Sequence, residues 1–170
     1  MTQQVPNVTF KFRRDGEFVD VTTNELFKGK RVVLFSLPGA FTPTCSTFQL
    51  PGFELDYQKF KDAGIDEIYC VSVNDGFVMN AWAKDQNINN VKMIPDGNGE
   101  FTRLMGMEVT KLNLGFGSRS WRYAAVIDNG NIEWMIEEPG RRDDCPEDPY
   151  VNTTPEEVLN YVTNNVVALA

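Results

Sequence analysis

The chain has 170 residues, with 24 acidic against 16 basic side chains and a formal net charge of −8. An acidic surface repels the phosphates of nucleic acids and of anionic membranes, so neither is expected as a partner. The sequence contains no histidine, which excludes Ser-His-Asp catalysis, Cys-His catalysis and the HExxH class of zinc site.

Length and hydrophobicity fit one domain. The hydrophobic fraction of 42% is enough for a packed core, and no linker or repeat divides the chain, so residues 1–170 are expected to form a single domain. The longest apolar runs, such as VVLF, are too short to cross a membrane. The first residues, MTQQVPNVTF, lack the basic and apolar segments of a secretory signal, so a cytoplasmic location is expected.

The N-terminal part predicts a hairpin followed by a central strand. Apolar residues alternate in VTFKFRRDGEFVDVTT, and Asp15 with Gly16 is a strong signal for a two-residue turn. A short helical turn, NELFKG, comes next. Residues 31–37, RVVLFSL, form a nearly continuous apolar run, which is typical of a strand buried on both faces.

A helix is expected directly after that strand. Thr42 suits the N-cap and Pro43 suits the first helical position, while Pro51 should kink or restart the helix. Apolar residues at helical spacing then continue to Gly64, which suits a helix end.

The rest of the chain alternates strands and helices and ends in an antiparallel pair and a helix. A second core strand, EIYCVSV, leads into a helix capped by Asn74 or Asp75, and a short strand and a short helix come next. Two strands turn at DNGN, residues 128–131, and the C-terminal helix TPEEVLNYVTNNVV is capped by Thr154. This order predicts an α/β fold, a mixed central sheet flanked by helices, with an N-terminal β-hairpin.

Cys45 is the strongest candidate for a reactive group. It would lie in the first turn of the helix that Thr42 caps, where unpaired N–H groups and the helix dipole favour a thiolate. Making the thiolate the major form at pH 7 takes a shift of about two pKa units, or about 2.7 kcal/mol. A helix end supplies only about 0.3–1 kcal/mol, so a second positive group is needed.

Two residues beside Cys45 could complete a site. Thr42 adds a hydroxyl one helical turn from the thiol, and Pro38 has no N–H, so it can shield the site without competing for hydrogen bonds. The competing interpretation is that Cys45 is a small core residue and Thr42 only a helix cap, and both interpretations are open at this point.

Arg122 is the candidate for the second positive group. It lies in the apolar segment SWRYAAVID, where alternation puts it on the same face as Ala124 and Val126. A guanidinium among such neighbours needs an anion, because unpaired burial is costly. That anion is either the Cys45 thiolate or one of the 24 acidic side chains.

The segment PGAFTPTC matches the peroxiredoxin signature Pro-x-x-x-Thr-x-x-Cys, at Pro38, Thr42 and Cys45. The chain resembles the peroxiredoxin subfamily that contains mammalian peroxiredoxin 5, the plant type II enzymes and bacterial forms, some of them fused to glutaredoxin. The resemblance continues through three further segments and so covers most of the chain. These segments are LPGFELDYQKFKDAGIDEIYCVSVNDGFVMNAWAK, MIPDGNGEFTRLMGM and RYAAVIDNGNIEWMIEEPG.

The resemblance implies a thioredoxin-like fold and a thiol-dependent peroxidase that reduces hydrogen peroxide and alkyl hydroperoxides. Cys45 would be the peroxidatic cysteine, which becomes a sulfenic acid. Thr42 and Arg122 would bind and polarise the peroxide, and Pro38 would limit over-oxidation. No metal, haem or flavin is implied, and glutathione, glutaredoxin or thioredoxin would reduce the sulfenic acid.

The resemblance also implies a homodimer, to which Phe41, Phe77 and residues 115–117 are candidate contributors. An alternative function on the same fold is a peroxide sensor or redox-relay binding module, in which oxidation of Cys45 signals to a partner. A third is a purely structural domain with an ordinary thiol at Cys45.

The thiol that would react with oxidised Cys45 is open. Cys70 matches a cysteine of the plant and bacterial relatives and is the resolving candidate, with Cys145 as the alternative. Alternation places Cys70 with Ile68 and Ser72 on one face of a buried strand, where it could equally be an inert core thiol. A disulfide with Cys45 requires Cα atoms within about 7 Å or local unfolding of the helix start. Direct reduction by a partner is the other route.

Overall fold

The structure, a computed structural model, describes residues 3–164. The strands in chain order are β1 (Gln3–Gln4), β2 (Thr9–Arg14), β3 (Glu17–Thr22), β4 (Arg31–Ser36), β5 (Glu67–Ser72), β6 (Lys92–Pro95), β7 (Glu108–Thr110), β8 (Ser118–Ser120), β9 (Tyr123–Asp128) and β10 (Asn131–Glu137). The helices are α1 (Thr23–Phe27), α2 (Leu50–Leu55), α3 (Tyr57–Asp62), α4 (Gly76–Asp85), α5 (Glu100–Leu104) and α6 (Pro155–Asn164). A π-helical segment, Cys45–Gln49, precedes α2, and a 3-10 turn, Leu112–Leu114, lies between β7 and β8.

A six-stranded mixed sheet forms the centre, in the order β1-β10-β9-β4-β5-β6. Strand β4 runs parallel to β5 and antiparallel to β9, and all of its residues are buried. The apolar run at residues 31–37 thus is the central strand that the sequence predicts, ending one residue earlier, at Ser36. The predicted mixed α/β sheet with an N-terminal hairpin is confirmed.

The sheet separates two apolar cores. The helix-side core lies under α2, α3, α4 and α6 and includes Phe35, Phe53, Trp82, Val126 and Val158. The hairpin-side core lies under β2, β3, α1 and α5 and includes Phe10, Phe27, Leu34, Phe101 and Ile127. Side chains of β4 alternate between the two, because successive side chains of a strand point to opposite faces.

The β2–β3 hairpin turns at the predicted residues. Asp15 and Gly16 both have positive φ angles, 49° and 78°, which a two-residue turn of this kind requires. The alternating residues Val8, Phe10 and Phe12 are buried in the hairpin-side core.

The helix after β4 starts at the predicted place but with a different first turn. The N–H of Ser46 donates to the carbonyl of Thr42 at 3.0 Å. The N–H of Leu50 reaches back to the carbonyl of Cys45, which makes the turn π-helical. Pro51 has no N–H to continue an α-helical ladder, and a widened turn before it accommodates the gap. The predicted restart near Pro51 is confirmed, since α2 begins at Leu50.

Helix caps match the prediction where the cap residue is distinctive. The N–H of Val78 donates to the Asp75 carboxylate at 2.9 Å, so Asp75 rather than Asn74 caps α4. The N–H of Glu157 donates to the Thr154 hydroxyl at 3.2 Å at the start of α6. The predicted C-terminal helix extends to residue 167, and residues 165–167 lie outside the described part of the chain.

Two boundaries near the C-terminal strands differ from the sequence interpretation. Strand β9 begins at Tyr123, so Arg122 lies just before the strand rather than inside it. Strands β7 and β8 form a separate small ladder that was not predicted, because three residues are too few to show an alternating pattern.

Within residues 3–164, no helix has both the length and the apolar character that a membrane span requires.

Candidate active site

Cys45 lies at the start of the π-helical segment, immediately after the loop that leaves β4. Its side chain is fully buried in the helix-side core. The Nη1 group of Arg122 donates to its sulfur at 3.4 Å. The sequence left two candidate anions for Arg122, the Cys45 thiolate and an acidic side chain. The structure brings Arg122 to Cys45, 77 positions away in the chain, and also to the acid Asp148.

Arg122 contacts four other side chains around Cys45 and its loop, including Cys45 itself. Only 2% of its side chain is exposed. Nη1 also donates to the Oε1 of Gln49, Nη2 donates to the Asp148 carboxylate at 2.6 Å, and the guanidinium lies 5.5 Å from the centre of the Tyr150 ring. Burial lowers the pKa of Arg122, and the negative charges of Cys45 and Asp148 raise it. The second effect is larger, so the pKa of Arg122 lies above its ordinary value.

Alternation around β9 explains why Arg122 faces Cys45. Ala124 and Val126 belong to the helix-side core with Cys45. Trp121 and Tyr123 belong to the hairpin-side core, on the opposite face of the sheet. The predicted facing holds even though Arg122 precedes the strand, because the alternation continues one residue beyond the ladder.

The proline loop, residues 37–44, is held by side chains from two other parts of the chain. The N–H of Ala40 donates to the Oδ1 of Asn74 at 3.0 Å, and Asn74 Oδ1 also accepts from the Ser72 hydroxyl at 2.6 Å. On the other side, Arg119 Nη1 donates to the Pro38 carbonyl at 3.2 Å. Both attachments fix the loop that carries the predicted site residues.

Thr42 and Pro38 both lie in the proline loop, and their surroundings differ. The Thr42 hydroxyl does not cap the helix with its oxygen; it donates to the Gly39 carbonyl at 2.7 Å. Its hydrogen is therefore fixed on the loop, and its lone pairs remain available as acceptors. Pro38 lines a narrow cleft together with Arg122 and Asp148.

Gln49 and Asp148 are contacts of Arg122 that the sequence analysis missed. Gln49 is fully buried and follows Cys45 by four residues, one helical turn later. A polar residue at that spacing in a buried helix was the available signal for it. Asp148 lies in a loop with no periodic pattern, and nothing in the local sequence distinguishes it from its acidic neighbours.

The C-terminal loop, residues 138–154, is fastened by one buried carboxylate. Glu138 is fully buried and accepts three consecutive backbone N–H groups and one hydroxyl. The donors are the N–H groups of Val151, Asn152 and Thr153, at 2.8, 3.0 and 2.8 Å, and the Thr153 hydroxyl at 2.7 Å. This attachment positions Asp148 beside Arg122.

Cys70 lies on β5, in the same buried core as Cys45. It is paired in register with Phe35 of β4 and fully buried. Burial, and then the negative charge of Cys45, raises the pKa of the Cys70 thiol well above its ordinary value. These surroundings match the interpretation of Cys70 as an unreactive core thiol.

Cys145 lies in the hairpin-side core, across the sheet from Cys45. Its thiol donates to the Glu147 carboxylate at 3.4 Å, and this hydrogen bond is the main reason why the pKa of Glu147 lies below its ordinary value. The structure therefore does not bring Cys145 together with the other candidate site residues. All three cysteines are free thiols.

Among residues 3–164, no three or more Cys, Asp and Glu side chains are arranged to hold a metal ion. The chemistry that the described side chains offer is a buried sulfur against a buried cation, with a hydroxyl one turn away. A sulfur nucleophile held in this way suits attack on a small electrophile that can reach the proline loop.

Comparison with known proteins finds one family model and several peroxiredoxins that match most of the chain. The model of the Redoxin family matches residues 2–153. A peroxiredoxin of Rhizobium etli is 60% identical over 168 residues, covering 94% of this chain and 94% of that protein. Peroxiredoxin-2D of Arabidopsis thaliana is 46% identical over 127 residues, covering 74% of this chain and 78% of the plant protein.

Solved structures extend the likeness to the fold. The antioxidant protein of Plasmodium falciparum, described as a 1-Cys peroxiredoxin, has a TM-score of 0.91 at 38% identity, with coverage of 97% of this chain and 100% of that one. Peroxiredoxin 5 of Alvinella pompejana has a TM-score of 0.81 at 30% identity, with coverage of 96% and 97%. The predicted thioredoxin-like fold and the predicted resemblance are both confirmed, and the chain belongs to the peroxiredoxin family, in the subfamily of peroxiredoxin 5 and the plant type II enzymes.

Proposed function

We propose that this chain reduces hydrogen peroxide and alkyl hydroperoxides with Cys45 as the nucleophile, and that glutathione, glutaredoxin or thioredoxin serves as the reductant. The observation that supports this most directly is the 3.4 Å contact between Arg122 Nη1 and the Cys45 sulfur. A cation against a buried sulfur favours the thiolate over the thiol, and the thiolate is the reactive form.

In the proposed first step, the Cys45 thiolate attacks one oxygen of the peroxide. An S–O bond forms and the O–O bond breaks. The departing oxygen leaves with the bonding electron pair and takes up a proton, which gives an alcohol, or water when the substrate is hydrogen peroxide. Cys45 is left as a sulfenic acid.

Arg122 and Thr42 are assigned complementary roles in that step. The guanidinium can donate to the departing oxygen, where negative charge develops. The Thr42 hydroxyl already donates to the Gly39 carbonyl, so it meets the substrate as an acceptor and can hold the O–H of the peroxide. Pro38, whose nitrogen carries no hydrogen, closes the site without offering a competing donor.

We further propose that the sulfenic acid is reduced by an external thiol and not by a second cysteine of the chain. Cys70 is buried within β5, and Cys145 lies on the other side of the sheet. A disulfide from Cys45 to Cys145 would require Cys145 to leave the hairpin-side core. The likeness to the Plasmodium falciparum protein, described as a 1-Cys peroxiredoxin, supports this route.

Peroxide consumption by single-cysteine variants tests the function. With dithiothreitol as reductant, Cys45→Ser should abolish consumption of hydrogen peroxide and tert-butyl hydroperoxide, whereas Cys70→Ser and Cys145→Ser should keep it. Activity retained in Cys45→Ser would contradict the proposal. Slow turnover of the wild type, together with tight capture of one protein, would favour the sensor or relay alternative.

Mass spectrometry after one equivalent of peroxide tests the route of reduction. The expected product carries one added oxygen on Cys45, and the external thiol then forms a mixed disulfide there. A Cys45–Cys70 or Cys45–Cys145 disulfide would replace the one-cysteine route while leaving the peroxidase function in place.

A homodimer is proposed through the loops around the site. Phe41 and Phe77 are each more than half exposed, and so are Leu112 and Leu114 beside residues 115–117. Large apolar side chains exposed in this way often mark protein contacts. Light scattering should report a dimer, and Phe41→Ser should weaken it; a wild-type monomer at working concentration would contradict the proposal.

A further inference from the structure

Side chains hold the main chain of the proline loop at three consecutive residues. The partners are Arg119 for the carbonyl of Pro38, Thr42 for the carbonyl of Gly39, and Asn74 for the N–H of Ala40. Thr42 belongs to the loop itself, so only Arg119 and Asn74 connect the loop to the rest of the fold in this way. The side chain of Asn74 has fewer rotatable bonds than the long, half-buried Arg119, so it holds its partner more firmly.

Asn74 is itself firmly placed. It lies between β5 and α4, its own N–H donates to the Ser72 carbonyl at 2.8 Å, and the next residue, Asp75, caps α4. Its Oδ1 accepts from the Ala40 N–H at 3.0 Å and from the Ser72 hydroxyl at 2.6 Å. Ser72 is fully buried at the end of β5. One amide oxygen therefore ties the end of the central sheet to the proline loop.

The backbone at Phe41 explains why the loop needs such a tie. Phe41 has a φ angle of 64°, in the left-handed region that a bulky residue rarely adopts. More than half of its side chain is exposed, so packing of the ring does not enforce this conformation. A strained residue persists only where its surroundings are fixed, and Asn74 fixes the preceding residue, Ala40. Without that bond Phe41 can relax, and the relaxation would move Thr42 relative to Cys45.

We propose that Asn74, which lies outside the signature segment, is a positioning residue for the reaction of Cys45 with peroxide. This inference rests on the proposed function. Asn74 acts through the Ala40 N–H and keeps the Thr42 hydroxyl in place to accept the O–H of the peroxide. The contact between Arg122 and Cys45 comes from other elements, so a displaced loop removes the reaction geometry and leaves the thiolate stabilised.

The test measures kcat/KM for hydrogen peroxide with dithiothreitol as reductant. Asn74→Ala should lower it about 10- to 100-fold, because a displacement of about 1 Å at a reacting group costs up to about 10²-fold. Asn74→Asp keeps an oxygen acceptor for the Ala40 N–H and should stay within about threefold of the wild type. The alkylation rate of Cys45 with iodoacetamide should not fall in Asn74→Ala, because the contact with Arg122 is kept.

Two control variants separate the loop contact from other effects. The Asn80 amide donates to the Arg13 carbonyl at 2.7 Å, so it ties α4 to the hairpin and not to the loop. Ser72→Ala removes the other donor to the Asn74 oxygen. Asn80→Ala and Ser72→Ala should each keep kcat/KM within about threefold of the wild type. If Asn74→Ala does not fold, the double variant Ser72→Ala with Asn74→Leu carries the test, because it leaves no buried Ser72 hydroxyl without an acceptor.

Four outcomes would overturn the inference. Asn74→Ala could keep kcat/KM within about threefold of the wild type. Asn74→Asp could lose as much as Asn74→Ala, which would show that the acceptor oxygen is not what the loop needs. Asn80→Ala or Ser72→Ala could lose as much, which would assign the effect to general stability or to the sheet. Or the alkylation rate could fall in parallel with kcat/KM, which would assign Asn74 to the thiolate rather than to the loop.

Failure of the inference and failure of the proposed function give different results. A wild type that does not consume hydrogen peroxide with dithiothreitol removes the function itself. A wild type that consumes it, with Asn74→Ala equally active, removes only the role of Asn74.

Discussion

Arg122 and Asp148 form a 2.6 Å ion pair that joins a buried guanidinium to a carboxylate with 47% of its side chain exposed. The other terminal nitrogen of Arg122 contacts the Cys45 sulfur. Asp148 therefore competes with the thiolate for the charge of Arg122. It also keeps that charge from being buried alone whenever Cys45 is protonated.

Asp148→Asn should separate these two effects. Without the carboxylate, Arg122 faces only Cys45 and Gln49, so Cys45 should react faster with iodoacetamide at a fixed pH, as measured by the rate of alkylation. The free energy of unfolding of the reduced protein should fall by about 1–2 kcal/mol in urea titrations, because a charged hydrogen bond is lost at a partly solvated position. Asp20→Asn, at an exposed ion pair with Lys11, is the control and should change neither quantity. An unchanged alkylation rate in Asp148→Asn would show that the two anions do not compete.

Arg122→Lys should keep the positive charge and still lose most activity. A lysine has one nitrogen and cannot contact Cys45, Gln49 and Asp148 together, whereas the guanidinium does so through two. We expect kcat/KM for hydrogen peroxide to fall about 10²–10³-fold, the usual loss when a donor to a developing negative charge is removed. Arg103→Lys is the matched change at an exposed site. A loss of less than about threefold would mean that charge alone, without geometry, accounts for the role of Arg122.

Gly39→Ala tests the packing of the proline loop. A Cβ at this position would lie 2.5 Å from Arg119 Nη1, so the guanidinium must move away from the Pro38 carbonyl. Because the obstacle is the end of a flexible side chain, the cost should be moderate, about 1–2 kcal/mol of unfolding free energy. The double variant Gly39→Ala with Arg119→Ala should lose less stability than the sum of the two single variants, as chemical denaturation would show. Strict additivity would place the obstacle elsewhere.

Glu133 should make the free energy of unfolding depend on pH below 4.5. Burial raises the pKa of Glu133, but hydrogen bonds from Arg31 and Tyr161 lower it more, so the folded value lies below the ordinary 4.5. A depressed carboxyl pKa stabilises the folded state above the ordinary value, and this contribution is lost as the pH falls through the folded pKa. The difference in unfolding free energy between the wild type and Glu133→Gln should be constant above pH 4.5 and shrink below it.

The control for that pH series is Asp20→Asn, at an ion pair with Lys11 that is 60% exposed on both sides. Its stability difference from the wild type should be small throughout, as for most exposed pairs. A Glu133→Gln difference that shrinks already well above pH 4.5 would contradict the depressed pKa.

The sequence predicts those parts of the site that periodic patterns determine. Alternation in the segment around Arg122 gives its correct face, and the apolar run of β4 gives the strand that ends at the proline loop. The turn at Asp15 and the cap at Thr154 follow from local backbone chemistry, and both are observed. These features depend on near neighbours in the chain, so one sequence contains enough information.

Other parts of the site depend on loop paths, which have no period. The C-terminal loop could run over either face of the sheet, and only the folded chain shows that it places Asp148 beside Arg122 and Cys145 in the hairpin-side core. The π-helical turn before Pro51 likewise depends on how the helix is packed. The cytoplasmic location and the single domain over residues 1–170 stay predictions.

The attachment of the C-terminal loop to Glu138 has a consequence for sequence change. The carboxylate accepts main-chain N–H groups of Val151 and Asn152, which every amino acid except proline provides. The exposed side chain of Val151 can therefore be exchanged without moving the loop. Glu138, the hydroxyl of Thr153 and the Asn152 amide, which donates to the Glu137 carbonyl at 3.1 Å, are constrained. One buried acid thus fixes the path of the loop through its main chain, so that a surface side chain such as Val151 can change while Asp148 keeps its place.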